Sequence, residues 1–220
     1  MKLSFSTRGW NYLSLEEVIE DAVDSRFNAI EIYNLFKNPD LTDRDGPFHP
    51  CHTAQTVRHL NENHLSISCF DTGIDLSDEK DPTDELMELI DKAHEVCCKY
   101  VAVRVNSDSE ELVFSRIEKI LSKIENTDIT LLIKTCGTFA DTEKLRNVLD
   151  FFASDNLAAL WSVHHPCREN GESAGTTNKN LGAYVRPSAV EFSIGMETRA
   201  AQQWLGMSIS GTISTLRAAA

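Results

Sequence analysis

Short apolar runs rich in β-branched residues return at regular intervals along this chain, and that rhythm constrains the fold more than any other feature. The runs begin at Lys2 (KLSFST), Asn28 (NAIEIY), Leu65 (LSISCF), Tyr100 (YVAVRV), Ile129 (ITLLIKT) and Leu157 (LAALWSV). The shortest interval, Lys2 to Asn28, is 26 residues and the longest, Asn28 to Leu65, is 37. A strand, a turn and a crossover helix together need about 30 residues. Each interval therefore has room for one βα unit.

The segments between the runs read as helices. Ser14 and Glu17 form a capping box ahead of Leu15, Val18, Ile19 and Ala22. Asp81 before Pro82 is an N-cap with proline at the first helical position, opening a helix that carries Leu86, Leu89, Ile90 and Ala93. Val113, Ile117, Ile120, Leu121 and Ile124 share one face, as do Leu145, Val148, Leu149 and Phe152. One apolar stripe per helix suits packing on a sheet that is covered on its outer side.

Regular alternation of this kind favours a parallel sheet, as a barrel or as a doubly wound sheet. No GxGxxG or GxxxxGK follows the first strand, which weakens the nucleotide-binding open sheet. The expectation is an α/β chain of (β/α) TIM-barrel type, incomplete, with six confident strands and a seventh around residues 183–186 or 190–194. A complete barrel takes about 250 residues, whereas this chain has 220. Residues 1–186 are expected to form the barrel domain and 187–220 an atypical tail. In that tail Trp204, Leu205, Met207 and Ile209 show no clear period. The aperiodic segment 37–50 follows the second strand and reads equally as a lid or as a solvated loop.

Composition narrows the partners. With 21 basic and 34 acidic residues the net charge is −13, and a field of that sign repels phosphates. Neither nucleic acid nor an anionic membrane is an expected partner, and no run approaches about 20 apolar residues. The N-terminus lacks a signal-peptide core. The six cysteines show no CxxC, in keeping with reduced thiols and a cytoplasmic location. An incomplete barrel also leaves sheet edges open to self-association.

Polar side chains gather where the strands end: Arg8, Glu31, Asp71, Arg104, Lys134 and the adjacent His164 and His165. A (β/α) barrel places its active site at that face. A strand-end lysine acts as a base, a Schiff-base former or a fixed cation, or it simply pairs with Glu31 or Asp71 across the mouth. Alternate strand residues face opposite ways, so His164 and His165 are not both expected to face the centre.

The segments LSFSTRGW, SLEEVIEDAVDSRFNAIEIYN, SCFDTG, LLIKT, LWSVHHPCRENGES and NLGAYVR, taken in order, resemble the sugar phosphate isomerase/epimerase family. These are xylose-isomerase-like TIM barrels related to family 2 AP endonucleases. The resemblance runs from Lys2 to Arg186 and implies a divalent metal, Mn or Zn, and proton transfer between adjacent carbons of a sugar or hydroxyketone. It also implies a ligand set that this sequence departs from. Lys134 stands where the fifth strand supplies a Glu ligand. Ser162 and His165 stand where the sixth supplies Asp-x-x-His, leaving His165 the surviving candidate ligand. Pro187, Ser188 and Ala189 follow Arg186 where a His-x-His is implied, and no strand-eight Glu is recognisable. At ~5 Å and an effective dielectric near 20, an ammonium repels a divalent cation by roughly 6 kcal/mol. Retention of the metal is accordingly not expected, and the chain reads as a truncated or frame-altered relative.

The sequence thus leads to a barrel acting next to a carbonyl of a small sugar-like molecule. Glu31, Lys134 and His165 are its acid/base and polarising candidates, and Arg8, Asp71, Arg104 and His164 its substrate contacts. The alternative is a non-catalytic barrel that binds carbohydrate or a partner, or an inactive fragment. Endonuclease activity ranks last, given the acidic surface and the departures in the ligand set.

Overall fold

The computed structural model describes residues 4–8, 13–107 and 109–191. Seven strands make one sheet: β1 (Ser4–Ser6), β2 (Ala29–Tyr33), β3 (Ser66–Asp75), β4 (Tyr100–Arg104), β5 (Thr130–Lys134), β6 (Leu157–Ser162) and β7 (Val185–Glu191). They lie side by side in chain order, and every neighbouring pair is parallel. Among the described residues nothing pairs β1 with β7, so the sheet is an incomplete barrel. The seventh strand runs on past Arg186, across the boundary expected between barrel and tail. The tail residues Trp204, Leu205, Met207 and Ile209 lie outside the described residues.

Helices cross over between the strands: α1 (Leu15–Asp24), α2 (Pro39–Thr42), α3 (Thr53–Glu62), α4 (Thr83–Glu95), α5 (Glu110–Ile124), α6 (Thr142–Phe152), α7 (His164–Asn170) and α8 (Ala174–Leu181). The capping box at α1 forms as the sequence implies, with the Ser14 side chain accepting the Glu17 N–H and the Glu17 carboxylate accepting the Ser14 N–H. At α4 the Asp81 carboxylate accepts the Thr83 N–H at 2.9 Å and the Thr83 hydroxyl at 2.5 Å. These hydrogen bonds, with Lys119 adding to them, hold its carboxyl well below the usual range.

Alternation along the strands separates two environments. Val101, Val103, Leu131, Ile133, Leu157 and Ala159 face outward and join the helix stripes in the main core. Cys69, Ala102, Leu132, Ala158 and Leu160 face inward and form a second, smaller cluster. The register shifts between Ile30 and Glu31, where Ile30 pairs with Ile67 but Glu31 with Cys69. Ser68 is thus the extra residue of a bulge. At the top of β3, Gly73 has φ +66°, and a Cβ there would meet the Asn34 Oδ1 at 2.9 Å. Only glycine takes that turn without strain.

Segment 37–50 is a packed excursion. It contains α2, buries Leu41 and Phe48, and sets the Phe48 ring edge-on to Phe70 at 6.2 Å.

Candidate functional site

Lys134 is the last residue of β5 and points inward with Leu132. Its Nζ donates to the Asp71 Oδ2 at 2.8 Å. The lysine side chain is 5% exposed and the aspartate 3%, so the pair is shielded from solvent. Isolated, either charge would be expensive to bury; together each removes the other's main cost. Asp71 reaches this position because the Ser68 bulge carries Cys69 and Asp71 onto the inner face.

Glu31, in the middle of β2, is buried on the same face and accepts the Ser6 hydroxyl at 2.6 Å. The Cys69 thiol shows how closely these groups share one space. Burial pushes its pKa well up, Glu31, Cys98 and Asp71 push it further, and Lys134 opposes them. Cys69 is therefore a protonated, unreactive thiol. All six cysteines are free, and burial raises Cys98 to about 11.

Among the described residues, two strand ends hold a buried polar atom without a partner. Arg104 closes β4 with its Nε buried and unbonded. Nearby carboxylates are engaged elsewhere. Asp71 holds Lys134, and Asp75, paired in register with Arg104, accepts from Ser77 and Asn106. Ser162 ends β6 fully buried, its Oγ also unbonded. Its backbone is pinned by Thr135, whose hydroxyl accepts the Ser162 N–H at 2.9 Å and donates to the Ser162 carbonyl at 3.2 Å. Arg8 lies at the same face, with its guanidinium carbon 5.0 Å from the centre of the Tyr33 ring.

The histidines sit differently from the sequence expectation. The strand stops at Ser162 and both residues belong to α7, so they do not alternate across a strand. The His165 Nδ1 engages the Glu169 Oε1 at 2.6 Å, one helical turn on, while His164 is exposed and packs edge-on to the His165 ring at 5.6 Å. Glu169 also accepts the Gly137 N–H at 3.2 Å. The structure thus brings together Glu31, Asp71 and Lys134, puts Arg104 at the neighbouring strand end, and engages His165 within its own helix. Sequence reasoning missed Ser6 and Thr135, whose hydroxyls orient the site; their place beside the strand-end charges was the available signal.

The donor set does not suit the divalent metal implied by the family resemblance. Lys134 already occupies a ligand position and is bonded to Asp71, and Ser162 offers a neutral hydroxyl. Among the described residues no group of three or more His, Cys, Asp or Glu side chains is arranged to hold a metal ion. A separate crevice of about 180 Å³, lined by Val105, Phe114, Phe139 and Lys144 among others, lies outside the strand-end cluster and shares none of its side chains.

No protein-family model matches this sequence, and no curated protein sequence does either. Solved structures do match the fold. The probable 3-DHS dehydratase AsbF of Bacillus anthracis superposes with a TM-score of 0.71 at 16% identity, over 84% of this chain and 71% of that one. A xylose isomerase domain containing protein of Salmonella typhimurium gives 0.69 at 14% identity, over 91% and 74%. The 3-keto-D-glucoside 4-epimerase YcjR of E. coli gives 0.71 at 11% identity, over 94% and 88%. With strand order, helix placement and superposition in agreement, this chain has the fold of the xylose-isomerase-like TIM barrels.

Proposed function

We propose that the chain acts on a small sugar or hydroxyketone, moving a proton at the carbon next to a carbonyl, with Lys134 in the place where a metal would polarise the oxygen. The observation that carries this reading is the buried Lys134–Asp71 pair at the C-terminal face, with Glu31 in the same interior. A fixed cation lowers the energy of the enolate that forms when the α-proton leaves. Asp71 holds that cation in place, and Glu31 is the carboxylate assigned to take the proton. Ser6 orients Glu31 through its hydrogen bond. Solved structures of similar fold include a probable 3-DHS dehydratase and a 3-keto-D-glucoside 4-epimerase, which supports the substrate class.

The test is exchange of substrate C–H for deuterium, followed by NMR across a panel of aldoses, ketoses and their phosphates in D2O. Exchange is expected for at least one member, with a loss of at least a hundredfold in Lys134→Met and in Glu31→Gln, since general acid–base groups contribute on the order of 10²–10⁴ in rate. Exchange that persists unchanged in both variants rules the reading out.

The second reading is a barrel that binds carbohydrate or a partner without chemistry. One observation favours it: the Lys134 ammonium already has its counter-ion at 2.8 Å. Saturable sugar binding with no exchange in any member of the panel selects this reading.

A further inference from the structure

Away from the strand-end cluster, the outer face of α5 and α6 is built unlike a solvated surface. Phe151 on α6 is 70% exposed, against 41% for Val23 and 38% for Leu112, the other large apolar side chains facing solvent among the described residues. Its ring lies 5.0 Å from the Phe114 ring of α5 and 5.1 Å from that of Phe152, so three rings form one cluster across the two helices. Phe114 also walls the crevice of about 180 Å³ noted above, whose other walls include Val113, Phe139 and Val148 and whose rim carries Glu110 and Lys144. Lys144, Val148 and Phe151 follow at i, i+4 and i+7 and share one stripe of α6. A projecting ring and an apolar hollow thus stand side by side, and Phe114 belongs to both.

We infer that this face is a contact between two copies of the chain, each seating its Phe151 ring in the crevice of the other. The hollow has the size of a ring: an apolar cavity of about 150 Å³ accepts benzene, and this crevice holds about 180 Å³. A two-fold contact requires one patch to carry both the projection and the hollow, as this patch does, and it closes at two copies. The charges fit the same arrangement. The exposed face of α6 is basic in its first half, at Lys144 and Arg146, and acidic near its end, at Asp150. Two α6 helices laid antiparallel, with the two-fold axis beside Asn147, set Asp150 of each copy against the basic half of the other. The same rotation carries Phe151 over the facing crevice. This local match opposes the general repulsion between two chains of net charge −13. The crevice shares no side chain with the strand-end cluster, so the contact is independent of the chemistry placed there.

Sedimentation velocity of the full chain, over about a hundredfold range of concentration at fixed salt, tests the contact. The parent is expected to pass from monomer to dimer and stop there, whereas association through sheet edges has no such limit. Phe151→Asp is expected to weaken dimerisation at least tenfold with unchanged circular dichroism, since a ring seated at the centre of a contact carries much of its energy. A residue on a two-fold axis meets its own copy. Asn147→Cys is therefore expected to give a covalent dimer under mild oxidation, well beyond that of the parent, none of whose cysteines lies on α5 or α6. Phenol, a ring without a chain, is expected to compete with dimerisation. A parent that stays monomeric overturns the inference, and if it binds phenol the crevice is instead a small-molecule site. Association that persists in Phe151→Asp also overturns it and assigns the contact to the sheet edges. A dimer lost in Phe151→Asp but never cross-linked through Asn147→Cys overturns the antiparallel seating.

Discussion

At the scale of single residues, the Lys134–Asp71 pair decides most. Removing Lys134 leaves the Asp71 charge buried without its ammonium, which is destabilising by about 3–5 kcal/mol in comparable pairs. Lys134→Met should show a loss of that size in urea denaturation monitored by circular dichroism. The double variant Lys134→Met/Asp71→Leu should recover most of it, because two apolar groups of similar volume have no charge to desolvate. A double variant no better than the single one would show that the pair is not coupled in this way. The apolar run before Lys134 marks the end of β5 where that residue stands, whereas Asp71 lies within β3, which runs on to Asp75 rather than ending beside it. The sequence misplaced the histidines because strand β6 and helix α7 abut almost without a loop. Val163 already has helical angles of φ −59° and ψ −29°. Two features carried that information: Pro166 in the first turn, where proline is tolerated, and Glu169 one turn after His165, a spacing that pairs side chains along a helix.

At the scale of elements, the loop between α7 and α8 secures the start of α6. The Glu172 carboxylate accepts the Thr142 N–H at 3.0 Å, the Thr142 hydroxyl at 2.6 Å, the Thr177 hydroxyl at 3.1 Å and the Asn170 amide at 3.1 Å. Partial burial pushes this carboxyl up, but the hydrogen bonds from Thr142, Thr177 and Asn170 together outweigh it and hold the pKa below 4.5. A carboxyl with a lower pKa folded than unfolded gives stability that is complete above the unfolded value and lost as pH falls through the folded one. The thermal midpoint of the parent chain should therefore fall more steeply below pH 4.5 than that of Glu172→Gln. Above that pH the variant should sit lower by a roughly constant amount. Parallel slopes for the two proteins would show that this carboxylate does not link the elements. Periodicity made the α5 and α6 stripes legible in the sequence. The Glu172 contacts to Thr142 were not, because they join residues thirty positions apart and leave no periodic trace. The same holds for the bulge at Ser68, which arises where the register of β2 and β3 changes.

At the scale of the whole molecule, a sheet that is open among the described residues and carries a net negative charge is subject to opposing effects. Unpaired strand edges favour association, while a net charge of −13 resists it. Salt screens the second effect and not the first, since the Debye length drops from about 30 Å at 0.01 M to about 8 Å at 0.15 M. Light scattering coupled to size exclusion should then show the average mass rising with ionic strength at fixed protein concentration. A mass independent of salt would mean that the edges do not associate. The parallel sheet was legible from spacing, because it requires a crossover in every interval, while the preference for a barrel over a doubly wound sheet came from the missing glycine-rich phosphate motifs and the family resemblance. How the sheet ends was not, because edge pairing depends on geometry beyond the last clear repeat.

The unbroken order of the strands, each beside its predecessor, has a further consequence for how the chain is made. A strand leaving the ribosome finds its partner already synthesised, one βα unit earlier. The sheet can therefore be assembled from the N-terminus outward, one edge at a time, with no strand waiting for a distant partner. Domains fold as units during synthesis, and here the unit can be as small as one repeat. Pausing translation between repeats would leave every earlier strand but the last paired on both sides, apart from β1 at the starting edge.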